Sequence, residues 1–117
     1  MPRELDFLQG TLDVLILRAL TWGPMHGYGV ASFIRRGSTG TFTVLDGALY
    51  TALHRLEERG WVESEWGYSE KKKKAKFYRL TTPGRRALRK ETQTWDDYVA
   101  AVARVMSAGP EVAMEGA

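Results

Sequence analysis

The chain has 117 residues, 44% hydrophobic and 26% charged, which suits one small globular unit and excludes wholesale disorder. It has no cysteine and only two histidines, which excludes disulfide scaffolds, cysteine zinc sites and thiol chemistry and leaves little for a metal site. The net charge is +3, but it is unevenly spread: Lys71, Lys72, Lys73, Lys74, Lys76 and Arg79 fall together with no acid among them.

The opening Met1-Pro2-Arg3-Glu4-Leu5-Asp6 lacks the basic start and apolar stretch of a signal peptide. No apolar run approaches the ~20 residues of a membrane span. The expected location is the cytoplasm, with no membrane partner. From Thr11 to Trp22, Leu12, Leu15, Ile16, Ala19 and Leu20 recur at the spacing of one helical face. Thr11 reads as its cap, Gly23-Pro24 as its end, and Phe7 and Leu8 as an extension or a neighbour. A second helix is expected from about His26 to Arg36, with Val30, Phe33 and Ile34 inward. Gly27 and Gly29 near its start weaken it and let another backbone approach closely. After the break at Gly37-Ser38-Thr39-Gly40, Thr41 to Val44 is β-prone.

A third helix is expected between Asp46 as N-cap and Gly60 as C-cap. Leu49, Ala52, Leu53 and Leu56 form its inner stripe and leave Tyr50, Thr51, His54 and Arg55 outside. Trp61 to Trp66 alternates apolar with polar, and Lys76 to Thr81 makes a second β segment. Gly67 to Ala75 between them is a lysine-rich turn, so the pair reads as a hairpin with a long basic tip. Thr82-Pro83-Gly84 announces a long helix capped by Thr82 and running to about Ser107. Along it Leu88, Thr92, Trp95, Val99, Val102 and Met106 hold a coiled-coil spacing, the pattern of a dimerisation seam. Ala108-Gly109-Pro110 ends it, and residues 109–117 read as a flexible tail.

Three short helices followed by a hairpin are the order of a winged helix-turn-helix. The fold class is mainly α with a small β-hairpin, residues 1–82 forming that unit and residues 83–108 a C-terminal dimerisation helix. In such folds the third helix enters the DNA major groove and the hairpin tip meets the backbone or the minor groove. Arg55 can give guanine two hydrogen bonds, while Tyr50, Thr51 and His54 can meet phosphate or base edges. Tyr28 either meets phosphate or packs under the third helix. Lys71, Lys72, Lys73, Lys74 and Lys76 supply salt-sensitive attraction to phosphate. Trp61 and Trp66 read as hairpin core, and Asp96 and Asp97 as solvated surface. No nucleophile stands with a base, and there is no glycine-rich phosphate loop or metal spacing, so neither an enzyme nor a cofactor is expected. A winged helix that only contacts other proteins is the alternative; it predicts weak, salt-insensitive DNA binding.

At these residues the chain resembles the PadR-like transcriptional regulators. The resemblance runs through Gly10-Thr11-Leu12-Asp13-Val14-Leu15-Ile16-Leu17 and Gly23-Pro24-Met25-His26-Gly27-Tyr28-Gly29. It is most specific at Ala48-Leu49-Tyr50-Thr51-Ala52-Leu53-His54-Arg55-Leu56-Glu57, and returns at Gly60-Trp61-Val62, Lys76-Phe77-Tyr78-Arg79-Leu80-Thr81 and Gly84. Family members often carry serine or threonine where Ala48 stands and proline where Thr51 stands. A hydroxyl contact to phosphate is thereby lost at Ala48, and Thr51 offers a replacement. The resemblance implies a homodimeric repressor on a partly palindromic double-stranded operator, dimerised by its last helix through Leu88, Trp95, Val99, Val102 and Met106. It also implies a small aromatic or phenolic effector. Trp95 stands where some relatives hold flat ligands between paired tryptophans. Leu88, Thr92 and Val99 would line the same face, joined by Val14 and Arg18. Trp95 equally reads as plain seam core.

Overall fold

The computed structural model describes residue 7 and residues 10–116. Helix α1 (Thr11–Ala19) runs into a 3-10 turn at Leu20–Trp22. There follow β1 (Met25–His26), α2 (Gly27–Gly37), α3 (Asp46–Glu58), β2 (Val62–Tyr68), β3 (Lys74–Leu80), α4 (Thr82–Ser107) and α5 (Pro110–Glu115). The three strands form an antiparallel sheet in the order β1, β3, β2.

The core lies where α1, α2 and α3 meet the base of the hairpin. Ile16, Leu17 and Leu20 from α1, Val30 and Ile34 from α2, and Leu49, Leu53 and Leu56 from α3 are buried together, closed by Val62 and Leu80. Leu17 lies off the expected stripe yet is fully buried, because α1 is central and packs against α2, α3 and α4. Phe7 stacks on Phe42 at 4.7 Å between ring centroids and covers one edge of the core. The expectation for Leu8 lies outside the described residues.

Helix ends are where the local chemistry differs from expectation. Gly10, in the left-handed region at φ +84°, precedes α1, so Thr11 is its first residue and caps nothing. Leu45 precedes α3 without a side-chain cap, and Asp46 is the first helical residue. Thr81, not Thr82, caps α4: its hydroxyl accepts the Gly84 N–H at 3.0 Å. His26 caps α2 through Nδ1, which accepts the Gly29 N–H at 3.0 Å. Gly60 ends α3 as expected at φ +77°, with the Trp61 N–H on the Leu56 carbonyl and the Gly60 N–H on the Glu57 carbonyl.

Four further points differ from expectation. Thr41 to Val44 forms no strand, because Val44 turns into the core and its neighbours pair with nothing in the sheet. β1, which the sequence reading missed, pairs with Tyr78 and Phe77 of β3. The hairpin strands are longer and the turn shorter, so Lys74 and Ala75 lie on β3 rather than in a loop, next to Lys76, which is on a strand as expected. The expected loose tail contains α5, begun by Pro110 at a position where proline suits a helix and with no buried residue.

Beyond Leu88 every residue of α4 is exposed. At 26 residues α4 is about 39 Å long, and the molecule measures 63 × 36 × 22 Å. Gly84 lets this arm start tight against the hairpin: a Cβ there would fall 1.9 Å from the Trp61 carbonyl oxygen.

Candidate nucleic-acid interface

An open groove of about 1510 Å³ lies between α2, the exposed face of α3 and the inner face of the hairpin. Tyr28, Ser32 and Arg36 line it from α2, Tyr50 from α3, and Trp66, Lys71, Lys73, Lys74, Lys76 and Tyr78 from the hairpin. The cations Arg36, Lys71, Lys73, Lys74 and Lys76 face a single acid, Glu70. A concave wall with one sign of charge focuses field toward a polyanion.

The hairpin face is set by register. Val62 opposes Leu80, Ser64 opposes Tyr78, Trp66 opposes Lys76 and Tyr68 opposes Lys74, all on one side of the pleat. The first pair is core; further out the face becomes an alternation of aromatic and lysine. Lys74 Nζ sits 5.1 Å from the Trp66 ring centroid, and Lys76 Nζ 5.9 Å from that of Tyr78. These rings place the ammonium groups along the strand instead of leaving them on a loose loop. Trp66 is therefore not hairpin core: it is 64% exposed. Alternation predicted its face correctly, but the helices end before they can cover it. Trp61 is half-buried against the core, with Arg59 5.1 Å above its ring.

Tyr50 is half exposed and rests its hydroxyl on Gly27 at the start of α2, so a side chain rather than a backbone uses that glycine. Tyr28 is largely exposed beside it. Tyr78 at the groove floor is buried, and its pKa is raised by desolvation first, then by the charge of Glu57 and by Tyr50. Glu57 also accepts the Ser64 hydroxyl at 2.6 Å and stands 4.0 Å from Lys76.

The remaining expected residues sit elsewhere. Thr51 and His54 lie on the exposed face of α3 outside the groove, and His54 Nε2 is 2.6 Å from Glu58 one turn on. Lys72 is at the hairpin tip in the left-handed region at φ +59°. Arg55 departs most from expectation. Its guanidinium makes a two-pronged pair with Asp13 of α1, with Nε 3.2 Å from Oδ2 and Nη2 hydrogen-bonded to Oδ1. That hydrogen bond, then the Asp13 charge, raises the Arg55 pKa. The fork expected to face guanine is turned onto α1 instead.

On α4, Thr92, Trp95, Val99, Val102 and Met106 are exposed, and Trp95 stacks on Tyr98 at 6.0 Å. Leu88 instead packs against the chain's own core. Val14 is half-buried on α1, while Arg18 is exposed with its guanidinium 5.1 Å above the Trp22 ring. Among the described residues no three His, Asp or Glu side chains could hold a metal ion together. No described helix is long and apolar enough to cross a membrane.

Comparison with known proteins adds three kinds of likeness. The sequence profile of the "Transcriptional regulator PadR-like family" matches residues 16–90. An uncharacterized protein of Lysinibacillus sphaericus is 29% identical over 90 residues, covering 77% of this chain and 83% of its own. Among solved structures, a PadR family transcriptional regulator from Eggerthella lenta superposes with a TM-score of 0.74 at 29% identity, over 86% of each chain. A transcriptional regulator from Clostridium thermocellum gives 0.75 at 26% identity, over 82% of this chain and 90% of its own.

Proposed function

Because this chain belongs to the PadR-like family of transcriptional regulators, and so is a DNA-binding regulator in its general function, we propose that it is a homodimeric, sequence-specific repressor released from its operator by a small aromatic or phenolic ligand. The observation that carries the DNA-reading half is the cationic groove joining α3 to the hairpin. In this reading the outer face of α3 enters the major groove, with Tyr50, Thr51 and His54 toward the bases. Tyr28 and the lysines at 71, 72, 73, 74 and 76 hold phosphates. Arg55, engaged by Asp13, seats α3 on α1 instead of reading a base. The protein works in the cytoplasm.

Residues 1–82 form the DNA-reading unit and residues 83–108 the dimerisation arm. A second copy covers Trp95, Val99, Val102 and Met106, which are exposed among the described residues. The effector lies on the same face, against Thr92, Trp95 and Val99, with Leu88, Val14 and Arg18 at its edge.

Fluorescence anisotropy with the DNA upstream of the chain's own gene tests this reading. We expect tight binding that weakens steeply with salt. Replacing Lys71, Lys73, Lys74 and Lys76 with alanine flattens the logarithmic salt slope by about 3.6, at roughly 0.9 per phosphate contact. A planar aromatic ligand quenches Trp95 fluorescence and lowers DNA affinity by the same linkage factor. Weak, salt-insensitive binding to every duplex would overturn the DNA-reading half. An unchanged ligand response in Trp95→Ala would overturn the effector half.

A further inference from the structure

The geometry points to Gly27 as the positioning residue that sets Tyr50 for DNA, a role that rests on reading Tyr50 as a DNA contact. Gly27 is the first residue of α2, it is buried, and its φ lies outside the left-handed region. Its backbone therefore makes no demand for glycine, and as a helix former alanine is the better residue. What requires glycine is Tyr50. A Cβ at position 27 would lie 2.7 Å from the Tyr50 hydroxyl oxygen and 3.0 Å from both Cε1 and Cζ. Those atoms move as one rigid group, so rotating the hydroxyl hydrogen relieves nothing; the far end of the ring has to shift by a change at χ1 or χ2.

The place it would leave is the one that matters. Tyr50 is the side chain through which α3 lines the groove, where it lies against Gly27 of α2 and shares the wall with Tyr28 of α2 and Tyr78 of β3. With Gly27 the ring lies down on the start of α2, its outer half open to the groove. A methyl at 27 pushes the end of the ring off the start of α2 and so changes where its hydroxyl stands in the groove. Gly27 thus acts on recognition through Tyr50, without touching DNA itself. Gly29, two residues on, does no such work: a Cβ there meets only ordinary contacts, the nearest 3.5 Å away on Met25.

A double-mutant cycle on the full chain separates these roles. The probes are a duplex selected from random DNA by the unsubstituted protein, and a scrambled duplex of equal length. We expect Gly27→Ala and Tyr50→Ala each to lose roughly tenfold in affinity for the selected duplex, with much smaller losses on the scrambled one. The double variant should bind no worse than Tyr50→Ala, and Gly29→Ala should bind as the unsubstituted protein does. Losses that multiply in the double variant, or a Gly27→Ala chain that binds normally, would overturn the inference. If Tyr50→Ala alone binds normally, what fails is the reading of Tyr50 as a DNA contact. Should Gly27→Ala fail to fold, recovery of the fold in the double variant supports the contact, and failure of both overturns it.

Discussion

Arg55 shows how one pairing changes the role of a residue. On a helical wheel it belongs to the outer face of α3, beside Tyr50, Thr51 and His54. In the fold its side chain bends to Asp13, which is only 16% exposed, and Arg59 stands 4.0 Å from the same carboxylate. Nothing local in the sequence signals a partner 42 positions away. Because Arg55 keeps 43% of its side chain exposed, solvent screens the pair. A double-mutant cycle of Asp13→Ala and Arg55→Ala in urea should give a coupling of about 0.5–1 kcal/mol. Both single variants should weaken DNA binding without altering base preference. A change in preferred base with Arg55→Ala would return it to direct readout. Tyr78 gives a second residue-scale outcome. Its pKa is raised in the fold, so the neutral phenol is the form the native state favours. Its contribution is present below about pH 10, the ordinary tyrosine value, and is lost as pH rises through the higher folded value. Urea midpoints should therefore fall on the alkaline side in the unsubstituted chain, and Tyr78→Phe should remove that step.

At the scale of elements, most of the fold was legible. The apolar stripe of α3, Leu49, Ala52, Leu53 and Leu56, is buried as its spacing predicts. The length of α4 follows from its cap and its uninterrupted heptads. What escaped was short or depended on neighbours. β1 has two residues, too few for any period, and it exists because Gly23 takes a backbone shape (φ 125°, ψ 177°) reserved for glycine and aims Met25 at β3. Trp66 follows the strand period, yet whether its face is core or surface depends on how far the helices reach. The junction of hairpin and arm yields a sharp prediction. Gly84→Ala sets a methyl 1.9 Å from the Trp61 carbonyl oxygen, which is backbone and cannot rotate away. It should cost more than about 3 kcal/mol in denaturant unfolding, well above the usual range for one substitution. A loss within about 1 kcal/mol would mean that α4 can leave the hairpin freely.

For the molecule as a whole, the arm is the feature that a single chain does not explain. From Arg89 onward α4 is exposed, with Trp95, Tyr98, Val99, Val102 and Met106 among its uncovered apolar side chains. Water-exposed apolar surface of this extent marks an interface. A charge at Val102 should convert the dimer to monomer by light scattering, and the monomer should bind DNA only weakly; an intact Val102→Asp dimer would place the interface elsewhere. The exposure of the heptad positions past Leu88 was legible from sequence, while the seating of Leu88 on its own core was not, because that position also lies against the hairpin base. In the proposed dimer, two copies joined by their arms would present two α3 helices and two basic hairpins related by a twofold axis. The most direct test is to select bound sequences from random duplex DNA with the full chain. The account predicts an inverted repeat whose half-sites stand a whole number of helical turns apart, about 10 base pairs each. Recovery of a single unrepeated site, or no enrichment over the starting pool, would contradict it.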